Sequence, residues 1–183
     1  MPMTRVLVAY GSSEGQTAAV AERIGEILET EGCDATLVHL QHPPSPLEPA
    51  VYDGVVVGAS VHAGSHQRYV ESFVRSHRET LNRRPTAFVS VSLSAASDDA
   101  ERRGTADELL DGFLEKTDWD PDGTLSVAGA LKYSEYGLFT RLLMRRLGGK
   151  ERGDTDTSRD YEYTDWEAVE SFTREFATLV DGD

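Results

Sequence analysis

The chain has 183 residues, of which 39% are hydrophobic, and this length and composition suit one globular domain. Its 32 acidic residues against 18 basic ones give a net charge of −14, which disfavours nonspecific nucleic-acid binding. A single cysteine, Cys33, excludes an internal disulfide and a cysteine metal cluster, and no apolar run reaches the roughly 20 residues of a membrane-spanning helix.

Apolar runs and helical spacings alternate along the chain. Buried strands are predicted at residues 4–10, 35–40, 54–59, 86–93 and 125–131. Helices are predicted from Gln16 to about Glu31, after Ser65, around residues 109–114, and from Thr164 onward. Such alternation predicts one α/β domain over residues 1–183, with a five-stranded parallel sheet sandwiched between helices and an insertion at about 132–163.

The last helix has a recognisable start. Thr164 and Glu167 occupy the N-cap and N3 positions of a capping box. Four apolar side chains are then predicted to face inward: Val169, Phe172, Phe176 and Leu179.

The loop at residues 12–17 joins the first strand to the first helix and is built of small or polar residues. One interpretation is a tight turn in which Ser13 or Glu14 caps the helix. The other is a phosphate site, because backbone N–H groups and the helix dipole favour an anion at a helix N-terminus. The hydroxyls of Ser12, Ser13 and Thr17 would add neutral donors, and Gly15 permits close approach of the backbone.

Two common phosphate-binding motifs are absent from this loop, which excludes two classes of ligand. The loop lacks the GK[ST] ending of triphosphate loops, and it lacks GxGxxG. It contains neither lysine nor arginine, so amides and hydroxyls alone would hold the phosphate of a mononucleotide such as FMN. The small loops ASVHAG at 59–64 and SLSA at 92–95 follow the third and fourth strands, and their amides would face a flat flavin ring.

Several blocks of the chain resemble the flavodoxin fold, and more narrowly the menaquinone-dependent protoporphyrinogen IX dehydrogenases. They are GQT at 15–17, VVVGASVHAG at 55–64, PTAFVSVSL at 85–93, AGALKY at 128–133, and GGKERGDTDTSRDYEYTDWE at 148–167. The resemblance implies a flavodoxin-like three-layer sandwich with strand order 2-1-3-4-5. It also implies noncovalent FMN and oxidation of protoporphyrinogen IX, a step of haem biosynthesis, with electrons passing to a quinone.

The expected cofactor-binding residues lie in three loops at one edge of the sheet, and no catalytic residue or metal ligand is assigned. They are Ser12, Ser13, Glu14, Gly15, Gln16 and Thr17, then Ala59, Ser60, Val61, His62, Ala63 and Gly64, then Ser92, Leu93, Ser94 and Ala95.

Two loop residues depart from the usual flavodoxin pattern. Glu14 stands where flavodoxins commonly have threonine, so only its N–H is expected to face the ligand. His62 stands beside Ala63 where an aromatic usually stacks on the ring, and it is either a flavin neighbour or a solvated loop histidine.

Three other functions compete with this interpretation. A flavodoxin would pass single electrons to a protein partner, but the insertion and the AGALKY and YTDWE blocks argue against it. An NAD(P)H:quinone reductase of the same fold would need a nicotinamide site, for which the sequence has no signal. A flavin-free interaction module would be colourless after purification and addition of FMN.

The inserted segment reverses the charge of the chain. Between residues 132 and 152 there are six basic residues against two acidic ones, and the arginines fall mainly opposite an apolar helical face. The segment either packs on the body with a solvated basic face, meets anionic lipid headgroups as a peripheral contact, or receives the propionates of the substrate.

The rest of the chain is acidic, and the whole sequence contains only three lysines: Lys116, Lys132 and Lys150. Such surfaces suit concentrated salt, where screening reduces carboxylate repulsion. The first residues carry no export leader, so a cytoplasmic protein is expected. Cys33 is expected to be a small buried residue.

Overall fold

The computed structural model describes residues 2–13, 15–92, 100–128, 130–132, 160–162 and 164–182. The strands are β1 (Arg5–Tyr10), β2 (Asp34–His39), β3 (Gly54–His62), β4 (Ser65–His66), β5 (Thr86–Ser92), β6 (Gly123–Ala128), β7 (Ala130–Lys132) and β8 (Asp160–Glu162). The helices are α1 (Gln16–Thr30), α2 (Arg68–Leu81), α3 (Ala100–Thr117) and α4 (Trp166–Asp181), with a short 3₁₀ turn at Pro49–Val51.

The main sheet has five parallel strands in the order β2-β1-β3-β5-β6. This is the predicted order 2-1-3-4-5 when the two-residue strand β4, which pairs antiparallel with β3, is left out of the numbering. The chain runs outward from β1 to β2 and then crosses to β3 on the other side of β1. A ligand in such a sheet lies beyond the carboxyl ends of the strands at this crossing point.

Helices cover both faces of the sheet. Alternate residues of β1 face opposite ways: Val6 and Val8 pack in a cluster with α1 and α4, whereas Leu7 and Ala9 pack in a cluster with α2 and α3. Because both faces are covered, β1 is a continuous apolar run instead of an alternating one. The predicted three-layer α/β sandwich is confirmed.

Three predictions about element boundaries were wrong. β3 does not end at residue 59 but continues to His62, and it turns back through Ala63 and Gly64 into β4. The fifth parallel strand begins at Gly123 and ends at Ala128, and residues 130–132 pair with β8 instead.

The start and the apolar face of α4 also differ from prediction. The helix is capped by Asp165, whose carboxylate accepts from Ala168 N at 3.1 Å, so Thr164 is not the N-cap. Val169 and Phe176 are buried as predicted, but Leu179 is 42% exposed. The last turn of α4 buries Val180 instead, which packs beside Gly54 of β3.

The antiparallel pair β7–β8 forms the base of the insertion, with Ala130 opposite Glu162 and Lys132 opposite Asp160. The amphipathic stretch at 136–147 lies outside the described residues, so its structure stays a prediction. The assignment of residues 1–183 to a single domain with an insertion at about 132–163 also stays a prediction.

Cys33 is 1% exposed in the core between α1 and β2, as the sequence predicted. Burial raises the pKa of its thiol, because removal from water disfavours the thiolate. Among the described helices, none combines the length and the apolar character that crossing a bilayer requires.

Candidate functional site

Three strand ends meet at the carboxyl edge of the sheet. The register pairs Tyr10 of β1 with Gly58 of β3, and Ser60 of β3 with Val91 of β5. The segments that follow β1, β3 and β5 are therefore neighbours. These are the three segments that the sequence assigned to the flavin.

The first of these segments begins at Gly11, which lies close to the sheet and to α2. Gly11 N donates to Gly58 O at 2.9 Å, and a Cβ at Gly11 would lie 2.6 Å from Val70 Cγ2. Ser12 Oγ accepts from Gly15 N at 3.0 Å, which closes the turn. Gly15 has φ 89°, a left-handed conformation that costs a non-glycine residue roughly 1 kcal/mol or more.

Helix α1 therefore begins without a side-chain cap from its N-cap residue, Gly15. Its first intrahelical bond is donated by Ala19 N to Gly15 O at 3.1 Å. As at every helix start, the backbone N–H groups before Ala19 come too early to donate to a carbonyl four residues back. They point along the helix axis, away from the helix. Glu14, for which the sequence allowed a capping role, lies outside the described residues.

Thr17 is the second residue of this helix. Its side chain is 2% exposed, and its Oγ1 has no hydrogen-bond partner among the described residues. A buried hydroxyl without a partner costs about 1–3 kcal/mol. An oxyanion at the N-terminus of α1 would remove that cost, so the residues present fit the phosphate group of a flavin mononucleotide.

The second segment is a β-hairpin instead of the predicted loop. Val61 pairs with His66 and His62 with Ser65, and the turn residues Ala63 and Gly64 have φ of 51° and 80°. Two successive positive φ values are typical of a type I′ turn. His62 is exposed at the hairpin end.

The amide of Ser60, expected from the sequence to be free for the flavin, is already occupied. Gln67 Oε1 accepts from Ser60 N at 2.9 Å, and Gln67 Nε2 donates to Ser60 Oγ. The same Nε2 lies 3.4 Å from Ser13 Oγ. Gln67, which the sequence analysis did not single out, thus connects the hairpin with the first loop.

The third segment begins at Ser92, the last residue of β5, whose side chain is buried. The other three residues predicted here, Leu93, Ser94 and Ala95, lie outside the described residues. Ala59 is also buried, at the centre of the sheet edge between β1 and β5.

A buried histidine lies under the hairpin. His66 Nε2 is 2.7 Å from Ser90 Oγ, and its ring contacts the rings of Phe88 and Phe113 at centroid distances of 5.5 and 5.0 Å. Burial lowers the pKa of His66 to about 4, since the imidazolium would be desolvated among aromatic side chains. The sequence drew attention to His62, but His66 is the histidine built into this region.

Tyr69 supports the first loop from below. Its hydroxyl hydrogen-bonds the backbone of Ser12. Burial raises the pKa of the Tyr69 phenol, and this effect is larger than the lowering by that hydrogen bond. Its ring is 6.1 Å from that of His39, which in turn contacts Tyr10 at 5.0 Å. The described residues contain no group of three or more metal-ligating side chains.

Comparison with known proteins places the chain in a family. A family model described as "Flavodoxin domain" matches residues 7–158.

Curated relatives are similar over almost the whole chain. The protein named protoporphyrinogen IX dehydrogenase [quinone] of Escherichia coli K12 is 33% identical over 177 residues, which are 97% of each chain. The protein of the same name from Leishmania major is 32% identical over 96% of this chain and 75% of its own.

Solved structures share the fold at low identity. A short-chain flavodoxin associated with a non-canonical PDU bacterial microcompartment has a TM-score of 0.61 at 12% identity, covering 97% of this chain and 99% of its own. Oxidised flavodoxin 1 from Bacillus cereus has a TM-score of 0.56 at 15% identity, covering 95% and 97%. On the family model and the full-length relatives together, the chain belongs to the flavodoxin family and, within it, to the group of the protoporphyrinogen IX dehydrogenases.

Proposed function

We propose that the protein binds FMN and oxidises protoporphyrinogen IX to protoporphyrin IX with a quinone as electron acceptor. The observation that carries the proposal is the 33% identity to the Escherichia coli protoporphyrinogen IX dehydrogenase [quinone] over 97% of both chains. Similarity of this extent includes the insertion, which an ordinary flavodoxin would not need.

The start of α1 supports FMN as the form of the flavin. Thr17 Oγ1 would donate to a phosphate oxygen, and the N–H groups of the first turn would add further hydrogen bonds. Gly11 lets the loop lie close to α2, and Gly15 supplies the left-handed conformation that begins the helix. Riboflavin, which lacks the phosphate, would leave Thr17 Oγ1 unpaired.

The hairpin after β3 would border the ring. Gln67 fixes the Ser60 backbone, and Ala63 and Gly64 of the type I′ turn would lie at the edge of the site. Val61 is half-buried and offers an apolar contact beside the exposed His62. When bound, the flavin supplies reversible two-electron chemistry, so the six-electron oxidation of the substrate would take three turnovers and reduce three quinones.

The basic segment at 132–152 is proposed to bring anionic groups to this edge of the sheet. Its arginines would bind the substrate propionates or the phosphates of lipid headgroups, and arginine forks suit both. Glu substitution of Arg145 and Arg146 is expected to raise KM for the substrate or to weaken binding to anionic liposomes. If neither measurement changes, the segment has no such role.

Anaerobic turnover tests the function directly. The purified protein, loaded with FMN, is mixed with protoporphyrinogen IX and a soluble quinone, and porphyrin fluorescence is recorded. We expect fluorescence to rise only when flavin, quinone and protein are all present.

Other outcomes would identify the competing functions. Reduction by a flavodoxin reductase without porphyrinogen turnover would favour an electron carrier. A protein that stays colourless after addition of FMN would favour a flavin-free interaction module.

A further inference from the structure

Thr164 precedes α4 and joins parts of the chain that are far apart in sequence. Since Asp165 caps the helix, the Thr164 hydroxyl is not used at the helix start. It donates instead to Ala128 O at 2.8 Å, and it accepts from Gln16 Nε2 at 2.5 Å. One side chain therefore connects the last residue of β6 with the first residue of α1.

The Gln16 end of this connection belongs to the proposed phosphate site. Gln16 is the first residue of α1 and is 8% exposed, and the unpartnered Thr17 hydroxyl follows it directly. A hydrogen bond from the Gln16 side chain limits how the first turn of α1 can rotate or shift. That turn carries the N–H groups that would face a phosphate.

The Ala128 end belongs to the base of the insertion. β6 ends at Ala128, β7 begins at Ala130, and β8 ends two residues before Thr164. Because β7 and β8 pair with each other, the hydroxyl of Thr164 holds both roots of the inserted segment against the end of the main sheet.

We propose that Thr164 is a positioning residue that aligns the phosphate-binding turn of α1 with the base of the insertion. The role of Thr164 rests on the proposed function, and it links the binding of the cofactor and the binding of the substrate to one residue. Thr164 itself need not touch either ligand. It acts through Gln16 on one side and through Ala128 on the other.

The proposal predicts different effects on the affinities for FMN and riboflavin, which differ only in the phosphate. Loss of the Thr164 hydroxyl would loosen the α1 turn, so FMN affinity should fall, whereas riboflavin does not use that turn. For Thr164→Val we expect the Kd for FMN to rise about five- to ten-fold, the range for one lost hydrogen bond. The Kd for riboflavin should change less than about two-fold.

The experiment titrates FMN and riboflavin into the apoprotein and follows quenching of flavin fluorescence. Thr164→Ser keeps the hydroxyl and should restore the FMN affinity. Thr178→Val is the matched control, because Thr178 lies within α4 and its hydroxyl donates to Arg174 O of the same helix, at 3.0 Å on an exposed face. Gln16→Met removes the same hydrogen bond from the other partner and replaces Thr164→Val if that variant does not fold.

Equal weakening of both flavins, or no weakening of either, would overturn the proposal, because a purely structural threonine lowers stability without singling out the phosphate. In the turnover assay at saturating FMN, Thr164→Val should raise KM about three-fold and leave kcat within about two-fold. If the wild-type protein does not oxidise protoporphyrinogen IX, the proposed function fails, and the comparison of the two flavins still decides the role of Thr164.

Discussion

Thr17 has a side chain that folding buries without giving its hydroxyl a partner in the described part of the chain. Natural proteins pair most buried polar atoms, and the proposed phosphate would give this hydroxyl a partner. The sequence identified Thr17 and Ser12 as candidates, because small hydroxyl residues between a strand and a helix are typical of phosphate loops. It did not identify which hydroxyl is left unpaired, since that depends on the packing around α1.

Replacing Thr17 with valine should affect the free and the bound protein in opposite directions. The apoprotein should be equally or more stable by about 1 kcal/mol, because an unpaired buried hydroxyl is removed. The Kd for FMN should rise about ten-fold, since a donor to the phosphate is lost. Thermal melting of the apoprotein and flavin titration measure the two effects, and Thr17→Ser is the control; a valine variant that binds FMN normally would contradict the phosphate site.

His66 could not be identified from the local sequence. The stretch GSHQ places a histidine after a glycine-containing turn, where a solvated side chain is common. Its ring packs against Phe88 and Phe113, which are distant in sequence, and its Nε2 lies 2.7 Å from Ser90 Oγ.

The lowered pKa of His66 makes stability depend on pH. In the unfolded chain its pKa is near 6.5, and in the folded protein it is about 4. Between these values the unfolded state binds the proton and the folded state does not, so stability falls as pH falls from 6.5 to 4. From pH 7.5 to 5 this histidine should account for a loss of roughly 2 kcal/mol.

Urea denaturation of the wild type and of His66→Gln at both pH values tests this dependence. Glutamine keeps a polar group for Ser90 but does not titrate, so its stability should fall less on acidification. Other titrating groups contribute equally to both proteins and cancel in the difference. An identical loss in the two proteins would show that His66 is not responsible.

At the scale of elements, the three central strands β1, β3 and β5 were predictable because most of their residues are buried on both faces. The edge strands β2 and β6 are more polar and partly exposed, and both bounds predicted for β6 were wrong. The hairpin at 61–66 was not predictable, for a physical reason: its turn contains Ala63 at φ 51°, whereas type I′ turns favour Asn or Gly at that position. The start of α4 was also misassigned. Thr164 and Asp165 are both good caps, but the Thr164 hydroxyl is engaged by Gln16 and Ala128, and Asp165 caps the helix.

Asp165 should therefore stabilise α4, whereas the capping box predicted from the sequence would have assigned that effect to Thr164. Asp165→Ala removes the acceptor for Ala168 N and should lower the unfolding free energy by about 1 kcal/mol. Asp165→Asn retains a capping oxygen and should recover most of that loss. Urea denaturation measures both, and an alanine variant as stable as the wild type would exclude Asp165 as the cap.

For the whole molecule, the dominant quantity is the net charge of −14. Repulsion among surface carboxylates opposes the compact state, and salt weakens it because the Debye length falls from about 10 Å at 0.1 M to about 3 Å at 1 M. Ion pairs such as Arg174 with Glu31 at 3.4 Å are exposed and contribute little.

Raising KCl from 0.1 to 1 M should therefore increase the melting temperature by at least about 5 °C. Differential scanning calorimetry of the FMN-loaded and the free protein measures the change. Sucrose at matched osmolality serves as the control for nonionic effects. Equal melting temperatures in dilute and molar KCl would refute adaptation to concentrated salt.

Cys33, enclosed between α1 and β2 with 1% of its surface exposed, has a practical consequence for spectroscopy. Since it is the chain's only cysteine, the native fold should react slowly with maleimides and other alkylating reagents. A cysteine introduced at an exposed position of α3, as in Glu108→Cys, would then be the sole reactive thiol. The protein can accept a single fluorophore or spin label without prior removal of its own sulfhydryl.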